Sequence, residues 1–395
     1  MNNKGYYAGN TNILQTLVDC VVDLGKIAFD WIFDYWINKE KLDFEDLFRT
    51  TKLCKGDMIP ILIEEGQNDY YKYYIFHVPT GIVKSDFEKR IEQFSFFFKV
   101  EERDIRFVNN GYNVEIRLLK PNRTYDYIPI MYKRKDFKIP LGYDMDGNLV
   151  VIDLLSSRNF GVYCAGSSGG GKSCSLRLVL THLINNMSPK DLELVVVNTK
   201  MVDLCPLEKC VFTIDYLKGS EGIEELLEAQ IMEMNERYKL LEKSECDDIY
   251  EYRKKIGNMP FRLLIIEEIS VYEKNKEYQQ YMQKIASMAR AAGIIPIMVT
   301  QLPNKDILPS TIKSNINTII GHKTIDAVRS TIIAGENSGL ETLRGNGHNK
   351  IFDCDHKGVE YQSLYVTKDI MKDVIRDRNN KFKYIKREHF ILLSK

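Results

Sequence analysis

Residues 165–173 read Ala-Gly-Ser-Ser-Gly-Gly-Gly-Lys-Ser, and from Gly166 to Ser173 they fit the pattern G-x-x-x-x-G-K-[ST]. The apolar run 160–164 before them is typical of a buried strand, and the run 175–184 after them predicts a helix. This pattern binds nucleotide phosphates when it lies between a strand and a helix. Its glycines let backbone N–H groups turn towards an anion at the helix N-terminus. The sequence therefore predicts a phosphate-binding loop.

Individual residues of this loop have distinct expected roles. Lys172 is expected to reach the β- and γ-phosphates of ATP, and Ser173 to hold Mg²⁺. ATP and Mg²⁺ are therefore the predicted cofactors. The predicted nucleotide-binding residues are Gly166, Ser167, Ser168, Gly169, Gly170, Gly171, Lys172, Ser173 and Cys174.

Hydrolysis of ATP also needs a carboxylate near Mg²⁺, a group that activates water and a positive charge at the γ-phosphate. The predicted strand 263–266 ends in Glu267 and Glu268, at the edge where open parallel sheets place their ligands. We expect Glu267 to lie near Mg²⁺, partly through water, and Glu268 to polarise the attacking water. The alternative is that both are surface glutamates after a core strand.

Three further side chains complete the predicted catalytic set. Gln301 ends the predicted strand 293–301, where a γ-phosphate sensor would lie, and a plain surface glutamine is the alternative. Arg290 and Arg329 are candidates for a charge supplied across a subunit boundary, and the sequence does not choose between them. A surface or structural role is favoured for each. The predicted catalytic residues are Glu268, Glu267, Gln301, Arg290 and Arg329.

Short apolar strands alternate with helical runs around this loop, at 149–154, 194–197, 263–266, 293–301 and 318–322. Such alternation favours a mainly parallel sheet that helices cover on both faces. The longest helical run is 222–255. We predict one domain at 136–368, followed by a basic tail at 369–395 that touches DNA or a partner, or is simply solvated.

Residues 41–135 predict a small α/β accessory module. A strand at 73–78, a helix at 85–98 capped by Ser85 and a strand at 114–118 are its main elements. Its many aromatic side chains favour core packing, with stacking on nucleic-acid bases as the alternative.

The N-terminal segment 1–40 predicts a helical element, amphipathic over 12–37. Its charged residues, spaced by 4, 3, 4 and 4, share one face: Asp19, Asp23, Lys26, Asp30 and Asp34. Because this stripe is mainly acidic, packing on another protein element is favoured over contact with anionic lipid. No run of the sequence is a clean transmembrane span.

Composition narrows the possible partners. The chain has 395 residues, enough for two or three domains, and a formal net charge of +0. Proteins that coat nucleic acid usually have a basic excess, so any contact with DNA is expected to be local. The 8 cysteines include no C-x-x-C pair, which favours reduced thiols in a cytosolic protein over a zinc site.

Several motifs resemble the FtsK/SpoIIIE family of DNA-pumping ATPases, over about residues 136–366. The stretches that carry the resemblance are 139–154, the phosphate loop, 197–200, 234–241, 249–255, 290–294, 300–303, 312–316 and 339–347. Asn198 and Glu267 stand where the family has aspartate, and Arg329 lies one position before the family's arginine. The family's winged-helix module and multi-span membrane domain have no counterpart in the sequence.

The resemblance implies a RecA-like P-loop motor domain that moves double-stranded DNA without sequence preference. It also implies a homo-oligomer, a hexameric ring with ATP between subunits. Short relatives of this kind resemble coupling proteins of conjugative plasmids and integrative elements in Gram-positive bacteria. That likeness implies a relaxase and membrane channel proteins as partners, and a place in the cytoplasm or at the inner face of the cell membrane.

Two other functions stay open. FtsK-like motor domains also occur as ATPases of protein-secretion machines, where the cargo is protein. A third hypothesis is an ATP-binding adaptor with little turnover, because Glu267 replaces the usual aspartate.

Overall fold

The computed structural model describes residues 42–383, except 69, 121–124, 127–137, 155, 157 and 305. The chain divides into two compact units between Lys120 and Pro121. The predicted N-terminal helix at 12–37 lies outside the described residues. Within them, no helix has both the length and the apolar character that a membrane span needs.

The first unit is a four-stranded antiparallel sheet with short helices against it, in the strand order β1-β2-β4-β3. Aromatic rings dominate its core, among them Phe48, Tyr74 and Phe94, whereas Phe96 is exposed. Its elements are α1 (Phe44–Thr50), β1 (Ile61–Gln67), β2 (Tyr71–His77), α2 (Lys84–Glu88), α3 (Ile91–Phe98), β3 (Ile105–Asn110) and β4 (Asn113–Leu119).

The predicted helix 85–98 is in fact two helices, α2 and α3. Arg90 lies at the break and its Nη1 donates to the carbonyl oxygen of Asp86 at 2.7 Å. The predicted cap at Ser85 is wrong, because Asp86 Oδ2 accepts the N–H of Val83 at 3.0 Å and the helix begins one residue earlier. Apolar periodicity continues across the break, so it did not reveal these local contacts.

The second unit contains the phosphate loop and an 11-stranded sheet. Its strands are β5 (Tyr125–Asp126), β6 (Lys138–Asp144), β7 (Leu149–Asp153), β8 (Val162–Ala165), β9 (Leu192–Asn198), β10 (Thr213–Lys218), β11 (Phe261–Ile266), β12 (Ile294–Thr300), β13 (Thr318–Gly321), β14 (His348–Phe352) and β15 (Lys357–Tyr365). Its helices are α4 (Lys172–Asn186), α5 (Ile223–Lys243), α6 (Ile249–Lys255), α7 (Lys276–Met288), α8 (Ser310–Lys313), α9 (Ala327–Ala334) and α10 (Lys368–Lys381).

The sheet combines a parallel and an antiparallel part. Neighbours are parallel along β10-β9-β11-β12-β8-β13, and antiparallel along β13-β14-β15-β6-β7. Strand β5 joins beside β15, so residues before the predicted domain start at 136 already belong to this sheet. The predicted α/β fold with a mainly parallel sheet is confirmed. Every residue of β9, β11 and β12 is buried, as expected for strands covered on both faces.

The predicted helical run 222–255 divides into α5 and α6. Asp248 accepts the N–H of Glu251 at 2.9 Å and starts a second helix. Glu245 has a φ of +51°, a left-handed conformation that ends the first. An aspartate three residues before a helical N–H is a helix-start signal, and it outweighs the continuing helix propensity.

The segment predicted as a basic tail begins as helix α10. Its apolar residues Met371, Val374 and Ile375 are buried, and α10 packs on α4. Spacings of 3 and 1 put these three residues on one face, which the charge content of the segment obscured. Residues 384–395 lie outside the described part of the chain.

A buried cluster of charges fastens α5 to the sheet. Arg237 has 0% of its surface exposed, and its Nε lies 2.7 Å from Glu233 Oε1. Its Nη1 donates to the carbonyl oxygens of Pro260 and Ala292, just before β11 and β12. Each of these buried charges therefore has partners, as burial requires.

Candidate active site

The phosphate loop joins the central strand β8 to helix α4. Gly166 has a φ of +152°, and a Cβ there would lie 2.8 Å from the carbonyl oxygen of His322. Gly171 has a φ of +102° and starts the helix. Only glycine fits both the backbone conformation and the close approach, so the loop needs these residues for its shape.

The loop is supported by the end of the neighbouring strand β13. His322 Nδ1 lies 3.0 Å from the carbonyl oxygen of Gly170, and Ser167 donates its N–H to the carbonyl oxygen of Lys323 at 2.8 Å. Burial lowers the pKa of His322 to about 3, so the imidazole is neutral. A carbonyl only accepts, so Nδ1 carries the proton.

The other ring nitrogen, His322 Nε2, faces Cys164 Sγ at 3.2 Å. Burial raises the pKa of that thiol to about 12, so S–H donates to Nε2. His322 was not predicted as a site residue. It lies 156 positions after Gly166, and a lone histidine at the end of a strand carries no motif that would reveal its position.

Lys172 is buried at the start of α4, and its Nζ donates to the carbonyl oxygen of Ser167 at 2.6 Å. Burial lowers the pKa of Lys172, and the nearby charge of Lys200 lowers it further. An ammonium has three donors, so two remain for phosphate oxygens. Ser167 is half-buried and Ser168 and Gly169 are exposed, which leaves the tip of the loop accessible.

Ser173 and Cys174 face different surroundings. Ser173 Oγ donates to Asp203 Oδ2 at 2.8 Å. Cys174 Sγ lies 3.9 Å from the carbonyl oxygen of Val366, so its side chain faces β15 and α10. Asp203 also lies 3.6 Å from Arg177 Nη1 and was not predicted.

Glu268 lies directly after β11, and both oxygens of its carboxylate have partners. Oε1 accepts from Ser270 Oγ at 2.5 Å, Thr300 Oγ1 at 3.0 Å and the N–H of Gln301 at 3.1 Å. Oε2 lies 3.1 Å from Lys200 Nζ. Burial acts to raise the pKa of Glu268, but these hydrogen bonds and the lysine charge outweigh it and lower the pKa. The carboxylate is therefore ionised at neutral pH.

Glu267 has the opposite environment. It is buried, and its Oε2 has no hydrogen-bond partner among the described residues. Burial and the charge of Asp203 raise its pKa to about 7, although Lys200 opposes the shift. An unpaired buried carboxylate oxygen suits an acceptor for a metal-bound water. The alternative of two surface glutamates is excluded, because Glu267 and Glu268 are 2% and 8% exposed.

The remaining predicted residues divide between the two ends of the parallel strands. Gln301 follows β12 at the edge of the phosphate loop and binds Glu268 through its N–H. Arg329 is on α9, after β13, and pairs with Asp326 at 3.3 Å. Arg290 is exposed and precedes β12, so it lies at the N-terminal end of the strands, opposite to the phosphate loop. One chain thus brings together the loop, both glutamates and Gln301, but not Arg290.

This arrangement suits metal-assisted attack on a phosphate. A cradle of N–H groups and an ammonium lie at one edge, with an ionised carboxylate and an unpaired one after a nearby strand. Among the described residues, no group of three or more His, Cys, Asp or Glu side chains is placed to hold a metal. Mg²⁺ commonly uses one or two protein ligands, water and substrate phosphates, so Ser173 and Glu267 fit that ion.

Comparison with known proteins gives one family. Residues 125–310 match the FtsK/SpoIIIE family. The chain is 31% identical over 230 residues to the DNA translocase FtsK of Borreliella burgdorferi, covering 54% of this chain and 28% of that protein. It is 28% identical over 259 residues to the DNA translocase FtsK of Chlorobaculum tepidum, covering 60% and 32%. The chain therefore spans about a third or less of these relatives.

Solved structures share the fold. The pCW3 conjugation coupling protein TcpA, in its monomer form with ATPγS, superposes with a TM-score of 0.60 at 19% identity, covering 84% of this chain and 97% of that one. ATPases 2 and 3 of EssC from Geobacillus thermodenitrificans give a TM-score of 0.60 at 17% identity, covering 68% and 53%. These likenesses identify a P-loop ATPase fold.

Proposed function

Because residues 125–310 match the FtsK/SpoIIIE family, we propose that this chain is an ATP-hydrolysing motor that moves double-stranded DNA. The observation that carries the proposal is the placement of ionised Glu268 at the same edge of the sheet as the phosphate loop. A loop alone accounts for binding, whereas a second, activating carboxylate is what hydrolysis requires. The DNA substrate is proposed from the FtsK relatives, of which this chain spans only a part.

Binding is assigned to the loop and the start of α4. Backbone N–H groups from Gly166 to Ser173 surround the phosphates, and Lys172 turns its free donors to the β- and γ-oxygens. When bound, Mg²⁺ neutralises phosphate charge. Ser173 is proposed to hold it directly and Glu267 through water.

Hydrolysis is assigned to Glu268 and Gln301. The carboxylate of Glu268 accepts a hydrogen bond from the attacking water and polarises it towards the γ-phosphate. Gln301 supplies an amide that orients water and phosphate together. Thr300 keeps Glu268 in place through its hydroxyl group.

A ring of identical subunits completes the proposed site. Arg290 is exposed and lies at the end of the strands opposite to the phosphate loop. It is therefore available to a neighbouring subunit's ATP. We therefore favour Arg290 over Arg329 as the charge supplied in trans, in a hexameric ring. DNA would pass through the ring and be held by its phosphates, since phosphate contacts carry no sequence information.

We further propose that the motor serves conjugative transfer. The TcpA likeness covers most of both chains and supports a role as a coupling protein. A relaxase bound to DNA and membrane channel proteins would then be the partners. The proposed location is the cytoplasm or the inner face of the cell membrane.

The variant Glu268→Gln tests the assignment of the activating carboxylate. We expect it to bind ATP within about threefold of the unmodified chain and to lose about 100-fold or more in turnover, since the amide cannot accept the proton. The measurements are calorimetric ATP binding and phosphate release. Glu277→Gln, at an exposed position on α7, is the matched control for a single change of this kind. Equal turnover in Glu268→Gln and the unmodified chain would contradict the role of Glu268 and favour an ATP-binding adaptor.

A protein-secretion ATPase is the second candidate, supported by the EssC fold likeness. It predicts turnover that responds to a protein cargo and is indifferent to DNA. A DNA titration therefore separates the two functions.

A further inference from the structure

Lys200 is the one cation that the structure pairs directly with the Glu268 carboxylate among the described residues. It follows β9, the strand beside β11, so its stem begins next to the glutamates. Its Nζ lies 3.1 Å from Glu268 Oε2, and 30% of its side chain is exposed. The lysine thus reaches a buried carboxylate while part of its own side chain stays exposed.

The hydrogen bonds of Glu268 decide which of its two oxygens can accept a hydrogen bond from water. Oε1 already accepts three donors, from Ser270, Thr300 and Gln301. A carboxylate oxygen has about two lone pairs, so Oε1 has none left for water. Oε2 is therefore the oxygen that must accept from an attacking water, and Lys200 takes up one of its two lone pairs and offsets its charge.

The lysine can exchange this partner for another anion. Its backbone is anchored, because the preceding residue, Thr199, donates its hydroxyl group to the carbonyl oxygen of Glu267. Its ammonium is a compact charge on a flexible four-carbon stem. It also lies close enough to Lys172 for the two charges to act on each other. The terminal phosphate proposed to bind Lys172 would therefore also lie in the field of the Lys200 charge.

We propose that Lys200 is a positioning residue that leaves Glu268 Oε2 for the γ-phosphate of bound ATP. Glu268 is then released to polarise water only when the third phosphate is present. With ADP, Lys200 stays on the carboxylate. This inference rests on the proposed ATPase function and adds a nucleotide-sensing step to it.

The experiment compares binding of Mg²⁺–ATPγS and Mg²⁺–ADP to Lys200→Met by calorimetry. We expect the affinity for ATPγS to fall about tenfold or more, while the affinity for ADP changes by less than about twofold. Lys200→Arg keeps the charge and is expected to keep most of the preference for ATPγS. Lys218→Met, an exposed lysine at the end of the adjacent strand β10, is the matched control and leaves both affinities unchanged.

ADP binding also reports folding of each variant, so a misfolded protein is recognised by loss of both ligands. If Lys200→Met binds ATPγS and ADP with the unmodified ratio, the inference is overturned and the proposed ATPase stands. An equal fall for Lys218→Met also overturns it, because general charge loss would then explain the effect. If the unmodified chain binds neither nucleotide, the proposed function itself fails.

Discussion

Glu267 and Glu268 are adjacent in sequence and differ in chemistry because their surroundings differ. Four donors hold Glu268 ionised, whereas Glu267 is buried with an oxygen that has no described partner. Pairs of acids whose pKa values are driven apart are typical of sites where one acts as a base and the other binds. In the nucleotide-free protein, burial of the ionised Glu267 has a cost, which is expected to lower the free energy of unfolding.

The variant Glu267→Gln tests that cost. The pKa of Glu267 in the folded chain, about 7, is above its ordinary value of 4.5, so the folded state binds the proton more tightly. Stability from this group is present below pH 4.5 and is lost as pH rises through 7. At pH 8 without Mg²⁺ we expect Glu267→Gln to be more stable by up to about 3 kcal/mol.

Denaturant unfolding at pH 8 and at pH 5 is the measurement, with EDTA present throughout. The difference between the two proteins should shrink towards zero at the lower pH. Glu236→Gln, at an exposed position on α5, is the control and should show no such trend. A difference that is the same at both pH values would contradict a raised pKa at Glu267.

Site residues that lie in or directly after a recognisable motif were predicted from the sequence. Those that reach the site only through contacts between distant segments were missed. The loop, Glu267, Glu268 and Gln301 each follow an apolar strand, so the position of each was predictable. His322, Asp203 and Lys200 act through contacts with residues far away in the sequence, and parallel strand order decides those contacts. A single sequence carries no signal for that order.

At the scale of elements, helix α5 depends on the charge cluster beneath it. Arg237 binds Glu233 and the carbonyl oxygens that precede β11 and β12, so one side chain joins a helix to two strands. Its motif was recognised by resemblance, but nothing in the pattern showed that the arginine is buried. Breaking a buried ion pair by removing one partner is costly, because the other charge stays buried.

The variant Arg237→Met is expected to destabilise the second unit by about 3–5 kcal/mol, since it removes the 2.7 Å partner of buried Glu233 and leaves that carboxylate only the longer contact with Arg262, at 3.4 Å. Urea unfolding followed by circular dichroism is the measurement. The double variant Arg237→Met/Glu233→Met should recover part of the loss, because both charges are then gone. A single variant as stable as the unmodified protein would show that the cluster does not hold α5.

The boundaries of helices were the least predictable feature of the elements. The break within the predicted helix 222–255 follows from the cap by Asp248, whereas Asp86 sets the start of the helix predicted at 85–98. Apolar spacing reports which face is buried, and it continues across such breaks. Strand positions were predicted more closely, because β9, β11 and β12 each contain a continuous apolar run of four or more residues.

At the scale of the whole molecule, the parallel half of the large sheet was predictable and the antiparallel half was not. Strands separated by helices favour a parallel sheet, and β8 to β13 follow that rule. Strands β14, β15, β6 and β7 come from both sides of this region in the sequence and extend the sheet beyond β13. Pairing between such distant segments leaves no periodic signal.

The absence of net charge also belongs to this scale. With 55 basic and 55 acidic residues, the chain has no general attraction for DNA. A motor of this composition must grip DNA locally, and a ring of subunits would multiply a weak local contact. Stimulation by DNA should therefore rise steeply with protein concentration and fall with salt.

ATP hydrolysis by the purified chain, with and without linear double-stranded DNA at several protein concentrations and moderate salt, tests the central claim most directly. The account predicts stimulation of about tenfold or more that appears cooperatively with protein concentration and does not depend on DNA sequence. Turnover that is indifferent to DNA at every concentration and salt tested would contradict a DNA motor.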